Sequence, residues 1–329
     1  MTTTAGRMDL RIDVHVGESD ERAVLGADVR AGLGASPKWL SPKWLYDDVG
    51  CALFERITTL AEYYPTRRER AILVAHGAEI ARRSGADTLV ELGSGSSDKT
   101  RLLLDALTAT GQLRRFVPFE ISVPTLATSA TAISNAYPGV EVHAVAGDFE
   151  RHLDRLPTGE RRLVAFLGST IGNLAPAQRA RFLGRLAAVL APGDALLLGT
   201  DLVKDPDRLR DAYDDAEGVT AAFNRNLLHR LNRELGANFD PERFTHVATW
   251  DPEQEWMEMR LRAEGAQSVR LRALDLAVGF DDGEELRTEI SAKFRRSGLA
   301  SELGAAGLEM TGWWSDPAAD FAVSLSVPA

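Results

Sequence analysis

An α/β fold with a mostly parallel, Rossmann-like sheet and helices on both faces is what this sequence predicts, on three observations. Short apolar runs alternate with helix-length segments from Leu89 to Leu198, the rhythm of strands joined by crossover helices. The first run ends in a glycine-rich turn, Leu89-Val90-Glu91-Leu92-Gly93-Ser94-Gly95-Ser96-Ser97-Asp98-Lys99-Thr100, and a helix-like stretch through Leu102, Leu103, Leu104 and Leu107 follows it. Past Asp201 the rhythm breaks into helices and then period-2 strands, before a helix and two last strands close the chain.

Taken in order, residues 1 to about 20 are polar, carry no long apolar run that would mark a signal peptide, and offer at most an edge strand over Leu10 to Val16. A duplication follows, Ser36-Pro37-Lys38-Trp39-Leu40 and Ser41-Pro42-Lys43-Trp44-Leu45, too brief to be a structural repeat. From Trp44 to Ile57, Leu45, Val49, Leu53, Phe54 and Ile57 have helical spacing, with Tyr46 on or near that face. The run Glu62-Tyr63-Tyr64-Pro65-Thr66-Arg67-Arg68-Glu69 reads as a turn into a helix, with Thr66 and Glu69 as a capping box. The two tyrosines in that turn fit aromatic packing near a helix cap as well as they fit a site.

Strands are expected over Thr88 to Glu91, Arg115 to Ile121, Val140 to Ala146, Leu163 to Leu167 and Ala195 to Gly199, with a helix from about Pro176 to Gly193 before the last. Helices are expected over Asp205 to Asp215 and Val219 to Leu235. Trp256 to Arg262 alternates Met257, Met259 and Leu261 with Glu258, Arg260 and Arg262, and Ser268 to Phe280 and Arg287 to Phe294 continue an antiparallel meander. Within it Glu289 and Ser291 share one side of a strand with Ile290 opposite, either as a solvated face or as a polar pair reaching a ligand. A helix around Leu299 to Ala306 and strands near Met310 to Trp314 and Phe321 to Val327 complete the sheet. Residues 1–201 and 292–329 are therefore expected to form the sheet domain, and 202–291 an inserted α+β substrate-recognition domain.

Three readings of the glycine turn compete. A phosphate loop ending in Lys-Thr fits Lys99 and Thr100 but has Asp98 where its last glycine should stand, and the dinucleotide pattern G-x-G-x-x-G fails at the same residue. The acidic-x-Gly-x-Gly loop of S-adenosylmethionine (SAM) methyltransferases is met by Glu91, Gly93 and Gly95, with Ser97 in place of a common third glycine. Ligands in such sheets bind beyond the carboxyl ends of the strands. Glu91, Glu120, Asp148 and Asn173 fall there on four successive strands. One such residue could be a turn residue; four beside a glycine turn point to adenosine, with an acid for the ribose hydroxyls and Asp148 and Phe149 for the base.

The charge of −10 over 329 residues argues against a nucleic-acid partner, and no segment is long enough to span a membrane. The single cysteine, Cys51, excludes an internal disulfide and fits a reducing cytoplasm. Six histidines without i,i+4 pairing and no second cysteine leave no metal site to propose.

Several motifs together resemble one family. Pro42-Lys43-Trp44-Leu45-Tyr46-Asp47, Glu62 to Arg67, Leu89 to Thr100, Gly147-Asp148-Phe149-Glu150, Phe166 to Leu174, Leu198 to Asp205 and Phe223-Asn224-Arg225-Asn226 are similar to the histidine-specific SAM-dependent methyltransferases over about residues 25 to 327. The resemblance implies a Rossmann-like SAM-methyltransferase sheet and trimethylation of the histidine α-amino group to hercynine, opening ergothioneine biosynthesis, with S-adenosylhomocysteine as co-product. Acceptance of another amino acid or small amine by a member of the same family is the alternative. Partners implied are L-histidine and its mono- and dimethyl intermediates, acted on by a cytoplasmic monomer. Carried onto this chain, the resemblance gives Gly93, Lys99, Glu120, Asp148 and Phe149 to SAM. It gives Tyr63, Asn173, Tyr213, Met259, Glu289 and Ser291 to histidine, with the last two reading the imidazole, and places Tyr46 near the methyl-accepting nitrogen. Tyr46, Tyr63 or water would take the amine proton. Glu120 departs from the family pattern, which has Asp there.

Overall fold

The computed structural model of the chain describes residues 10–95 and 99–329, and the side chains of these except residues 18–20. Ser97 and Asp98 of the glycine turn thus lie outside the described residues. In chain order, β1 (Leu10–Val14), α1 (Glu18–Leu33), the short β2 (Lys38–Trp39), α2 (Asp48–Thr59) and α3 (Pro65–Ser84) precede the alternating section. That section runs β3 (Thr88–Leu92), α4 (Thr100–Ala109), β4 (Arg115–Glu120), α5 (Val123–Ala136), β5 (Glu141–Ala146), β6 (Arg162–Phe166), α6 (Pro176–Val189) and β7 (Ala195–Asp201). Then come α7 (Pro206–Tyr213), α8 (Val219–Leu235), β8 (Phe244–Asp251), β9 (Trp256–Ala263), β10 (Gln267–Leu271), β11 (Leu276–Phe280), β12 (Glu285–Ala292), α9 (Arg296–Ala305), β13 (Leu308–Ser315) and β14 (Phe321–Pro328).

The large sheet has the order β1-β5-β4-β3-β6-β7-β14-β13. Its first six strands are parallel and β14 is antiparallel to both neighbours, as the terminal strand pair suggested. Because successive strand residues face opposite sides, Leu89 belongs to the core beneath α3, α4 and α5, and Val90 to the core beneath α6 and α9. Strand order reverses at β3, with β4 on one side and β6 on the other, so a crevice opens at the carboxyl ends of these strands.

A second sheet, β2-β12-β9-β8, packs with α1, α2, α7, α8 and the hairpin β10-β11 around a separate core. Residues before Tyr64 share that core with residues 209–286. Backbone contacts help lock the sheets together. The Phe294 amide donates to the Asp201 carbonyl at 2.8 Å, carrying the end of β12 onto the end of β7. Gly172, in the 3-10 turn Thr170–Asn173, lies so close to β12 that a Cβ there would sit 2.8 Å from the Ala292 carbonyl oxygen.

Local expectations change where tertiary partners outcompete local signals. The helix expected from Trp44 starts only at Asp48, because Pro42–Leu45 closes its own 3-10 turn and Asp47 caps α2, accepting from the Gly50 amide at 2.8 Å. Val49 consequently faces solvent. The capping box at Thr66 and Glu69 does not form: α3 opens at Pro65, two residues earlier than that box requires, with Tyr64 at the cap and no side-chain cap bond. Glu69 turns inward, fully buried, where the Lys99 ammonium and the Gly168 amide (2.8 Å) satisfy it better than an exposed cap would. The expected meander is broken by a turn at Arg272–Leu274, which makes β10 and β11 a hairpin of their own. β12 pairs instead with β9 and, in parallel, with β2. The duplicated pentapeptide takes two conformations, a strand at Lys38–Trp39 and a 3-10 turn at Pro42–Leu45. Neither α1 nor β8 was anticipated.

The loss of the capping box is testable by chemical denaturation. Thr66→Ala should leave stability within about 0.5 kcal/mol of wild type. A loss of about 1 kcal/mol or more would restore the cap.

Candidate active site

Beyond β3 the chain turns through Gly93 and Gly95, both in the left-handed region at φ 71° and 47°. A Cβ on either would meet no atom of the described residues within 4 Å, so these glycines are required by backbone conformation. The amides of Gly93 and Ser94 hold the turn to the Phe119 carbonyl at 2.8 and 3.2 Å. Glu120, half-buried at the end of β4, accepts from the Gly95 amide (3.0 Å) on one oxygen and from the Ile121 amide (2.8 Å) on the other. The oxygen that serves Ile121 also accepts from the Ser122 amide at 3.4 Å, so the one facing Gly95 is the oxygen with acceptor capacity to spare among the described residues. Buried Asp148 accepts from the Glu150 amide at 2.8 Å and lies 3.6 Å from the Lys43 ammonium. Phe149 beside it is fixed edge-on against Phe166 and Phe182, with ring centroids 5.2 and 5.8 Å away. This set of acceptors and one aromatic face fits the ribose hydroxyls and adenine of SAM.

Glu91, the motif's own acid, is inside the structure rather than in the crevice. Burial pushes its carboxyl up to about 8, and it accepts from the Thr100 hydroxyl, tying β3 to the first turn of α4. Glu69, read from sequence as a cap, stands at the crevice floor against Lys99 and the loop after β6.

The residues expected at the amino acid gather on the second sheet and the elements facing it. Glu289 lies directly opposite Met259, and Ser291 opposite Met257, after an irregularity in register at Thr288. Both polar side chains are buried, so this is not a solvated face. The Tyr213 hydroxyl, on α7, donates to Ser291 Oγ at 2.7 Å. Asn173 ends the turn that packs on β12, half-buried and without a side-chain hydrogen bond among the described residues. Tyr46 and Tyr63 enclose the region with Phe54 and Phe223, centroids 5.4 to 6.0 Å apart. The segment Lys43 to Tyr46 spans the two halves, Lys43 meeting Asp148 on one side and Tyr46 the aromatic cluster on the other.

Electrostatics tie the second half together. Burial lifts the Glu289 carboxyl to about 7, opposed by the charge of Lys293. Burial, followed by the Glu289 carboxylate and neighbouring phenols, pushes the Tyr46 hydroxyl well above its ordinary value. Tyr63 and Tyr213 are raised likewise, burial first. All three phenols stay protonated at neutral pH. Sequence reasoning missed Lys293 and Asp201, which stand 3.0 Å apart, and Lys204 and Tyr64, which also reach Asp201. The available signal was spacing: Lys293 continues the i, i+2 row of Glu289 and Ser291.

Residues 25–328 match the family model described as histidine-specific methyltransferase, SAM-dependent. The chain is 58% identical to the histidine N-alpha-methyltransferase of Mycobacterium tuberculosis, over 96% of this chain and 99% of that one. It is 57% identical to the protein of the same name from Mycolicibacterium smegmatis, over 97% and 100%. Ergothioneine biosynthesis protein 1 of Neurospora crassa is 30% identical over 85% of this chain, which spans only 32% of that longer protein.

The raised Glu289 carboxyl predicts a pH signature. The folded state holds this proton more tightly than the unfolded chain, whose carboxyl titrates near 4.5, so the contribution to stability falls as pH rises through about 7. In ligand-free protein, Glu289→Gln should melt higher than wild type near about pH 8, and the gap should close near about pH 5. A gap independent of pH, read by calorimetry, would contradict it.

Proposed function

This chain belongs to the family of histidine-specific, SAM-dependent methyltransferases, and from that premise we propose that it trimethylates the α-amino group of L-histidine to give hercynine, the first step of ergothioneine biosynthesis. The observation that carries the reading is end-to-end identity above half with two proteins named histidine N-alpha-methyltransferases. Support for the amino acid comes from a buried carboxylate, Glu289, beside a hydroxyl, Ser291, suited to the two ring nitrogens of an imidazole.

SAM supplies an electrophilic methyl on a sulfonium, transferred by direct displacement to the amine nitrogen. The chain's own work is then to bind and align. Glu120 takes the ribose, Asp148 and Phe149 the adenine, and Gly93 with Lys99 the rest of SAM. Asn173, Tyr63 and Tyr213 hold the amino acid's α-amino and carboxylate end, Met259 lines the ring pocket, and Glu289 accepts the imidazole N–H. Tyr46 and Tyr63, kept protonated by burial, orient the amine through their phenol oxygens, which favours water to carry away its proton. The growing positive charge faces the rings of Tyr46, Phe54 and Tyr63, where cation–π attraction accommodates a quaternary ammonium. We take residues 202–291, packed with the stretch before Tyr64 that shares their core, as the substrate-recognition insertion, and the enzyme as a cytoplasmic monomer that carries the mono- and dimethyl intermediates to completion.

Incubation with SAM and an equimolar panel of the twenty amino acids, read by mass spectrometry, should give a three-methyl mass gain on histidine alone. Methylation of a different amino acid would keep the cofactor and overturn the pocket. Glu289→Ala should raise the histidine KM roughly tenfold to a hundredfold, from about 1.5–3 kcal/mol of charged hydrogen bond, with SAM affinity little changed. Asn173→Ala should lose turnover while calorimetry still shows SAM binding; unaltered turnover removes Asn173 from the site.

A further inference from the structure

Lys293 is wholly buried, and its ammonium has three polar neighbours: Asp201 Oδ2 at 3.0 Å, Ser291 Oγ at 2.9 Å and the Tyr213 hydroxyl oxygen at 2.9 Å. An ammonium has three protons and accepts nothing, so each neighbour receives one. Asp201 is held independently by the Lys204 ammonium and by the Tyr64 hydroxyl at 2.9 Å, which leaves Lys293 anchored at one end and free to dictate at the other.

The consequence lies in counting hydroxyl protons. Both hydroxyl oxygens already accept from Lys293, and one bond of 2.7 Å joins Tyr213 to Ser291. That bond uses one of the two hydroxyl protons. With Tyr213 as its donor, the Ser291 proton is left over, directed away from Lys293 and Tyr213. Glu289, two residues along the same face, makes no hydrogen bond to any described residue. A hydroxyl donor and a carboxylate acceptor thus stand two residues apart on one face of β12, both available to a ligand.

We propose that Lys293 is the positioning residue of this pocket: by donating to both hydroxyl oxygens it closes that side to their protons, so that the Tyr213 and Ser291 pair keeps one proton to spare and the pocket offers one hydroxyl donor beside one carboxylate acceptor. That is the complement of a neutral imidazole, which has one N–H and one bare nitrogen, and it distinguishes histidine from rings of the same size that lack either. The inference rests on the reading of Glu289 and Ser291 as the residues that face the imidazole. Without Lys293 the spare proton is free to turn into the place the ammonium fills, towards Asp201, and the donor would no longer be presented.

The test compares initial methylation of histidine with that of the two pyrrolylalanines, which keep a ring N–H at one or the other histidine position and lack the second nitrogen. Wild type should favour histidine over the better pyrrolylalanine by about tenfold or more in kcat/KM, the worth of one hydrogen bond. In Lys293→Met the ratio should fall to about threefold or less, through the histidine KM, while SAM affinity by calorimetry stays within about twofold. Lys293→Gln, which keeps the site polar but adds an acceptor, should also lower the ratio, and serves if the methionine variant fails to bind SAM. An unchanged ratio in a variant that binds SAM normally overturns the proposal, as does a wild type that turns over a pyrrolylalanine as well as histidine. A wild type that does not methylate histidine at all would instead sink the function, a result that the first arm of the experiment reads separately.

Discussion

The ion pair between Asp201 and Lys293 is the joint on which the two halves of this molecule depend. Asp201 ends β7 of the large sheet; Lys293 follows β12 of the small one, and both are buried. Removing one partner of such a pair leaves an uncompensated charge indoors, typically at about 3–5 kcal/mol. Lys204 lessens that exposure by giving Asp201 a second cation, although burial lowers its own ammonium to about 8. The joint therefore carries charge balance, sheet-to-sheet attachment and pocket polarity through the same few atoms.

A comparable economy holds the cofactor side. Glu69 reaches from α3 under the crevice and binds both Lys99 and the amide that opens the loop after β6. It can do so only because Gly199 on β7 has no side chain: a Cβ there would lie 2.0 Å from Glu69 Oε1. Lys99 at the entry to α4 and the loop that leads to Asn173 are thus braced from below by one carboxylate. Catalysis by alignment needs this kind of rigidity, since displacement at a methyl carbon tolerates little error in approach.

The environment of the tyrosines divides the chemistry. Their burial beside Glu289 keeps them neutral, which suits hydrogen bonding to an amine and cation–π contact with its methylated forms, and makes phenolate unavailable as a base. Burial likewise pushes the Cys51 thiol up to about 12, which withholds the reactive thiolate at neutral pH.

How much of this was legible without coordinates follows the range of the interactions. The alternating apolar runs, the glycine turn and the acids at strand ends are local patterns, and they determined the parallel sheet, its antiparallel closing strands and the crevice with Glu120, Asp148 and Asn173 at its rim. Period 2 put Glu289 and Ser291 on one face with Met259. Whether that face was wet or dry was beyond the sequence, because burial there is imposed by elements from residues 42–63 and 213. Glu69 misled for the same reason: three residues after a threonine it spells a helix cap, and only the packing of α3 on the sheet shows a better partner 30 residues away in Lys99. Asp201 and Lys293, far apart in the chain, carried no local signal that they meet. Sequence determined which groups line each strand end; the tertiary structure decided which of them are dry, and a group withdrawn from water must find its partner wherever the fold provides one.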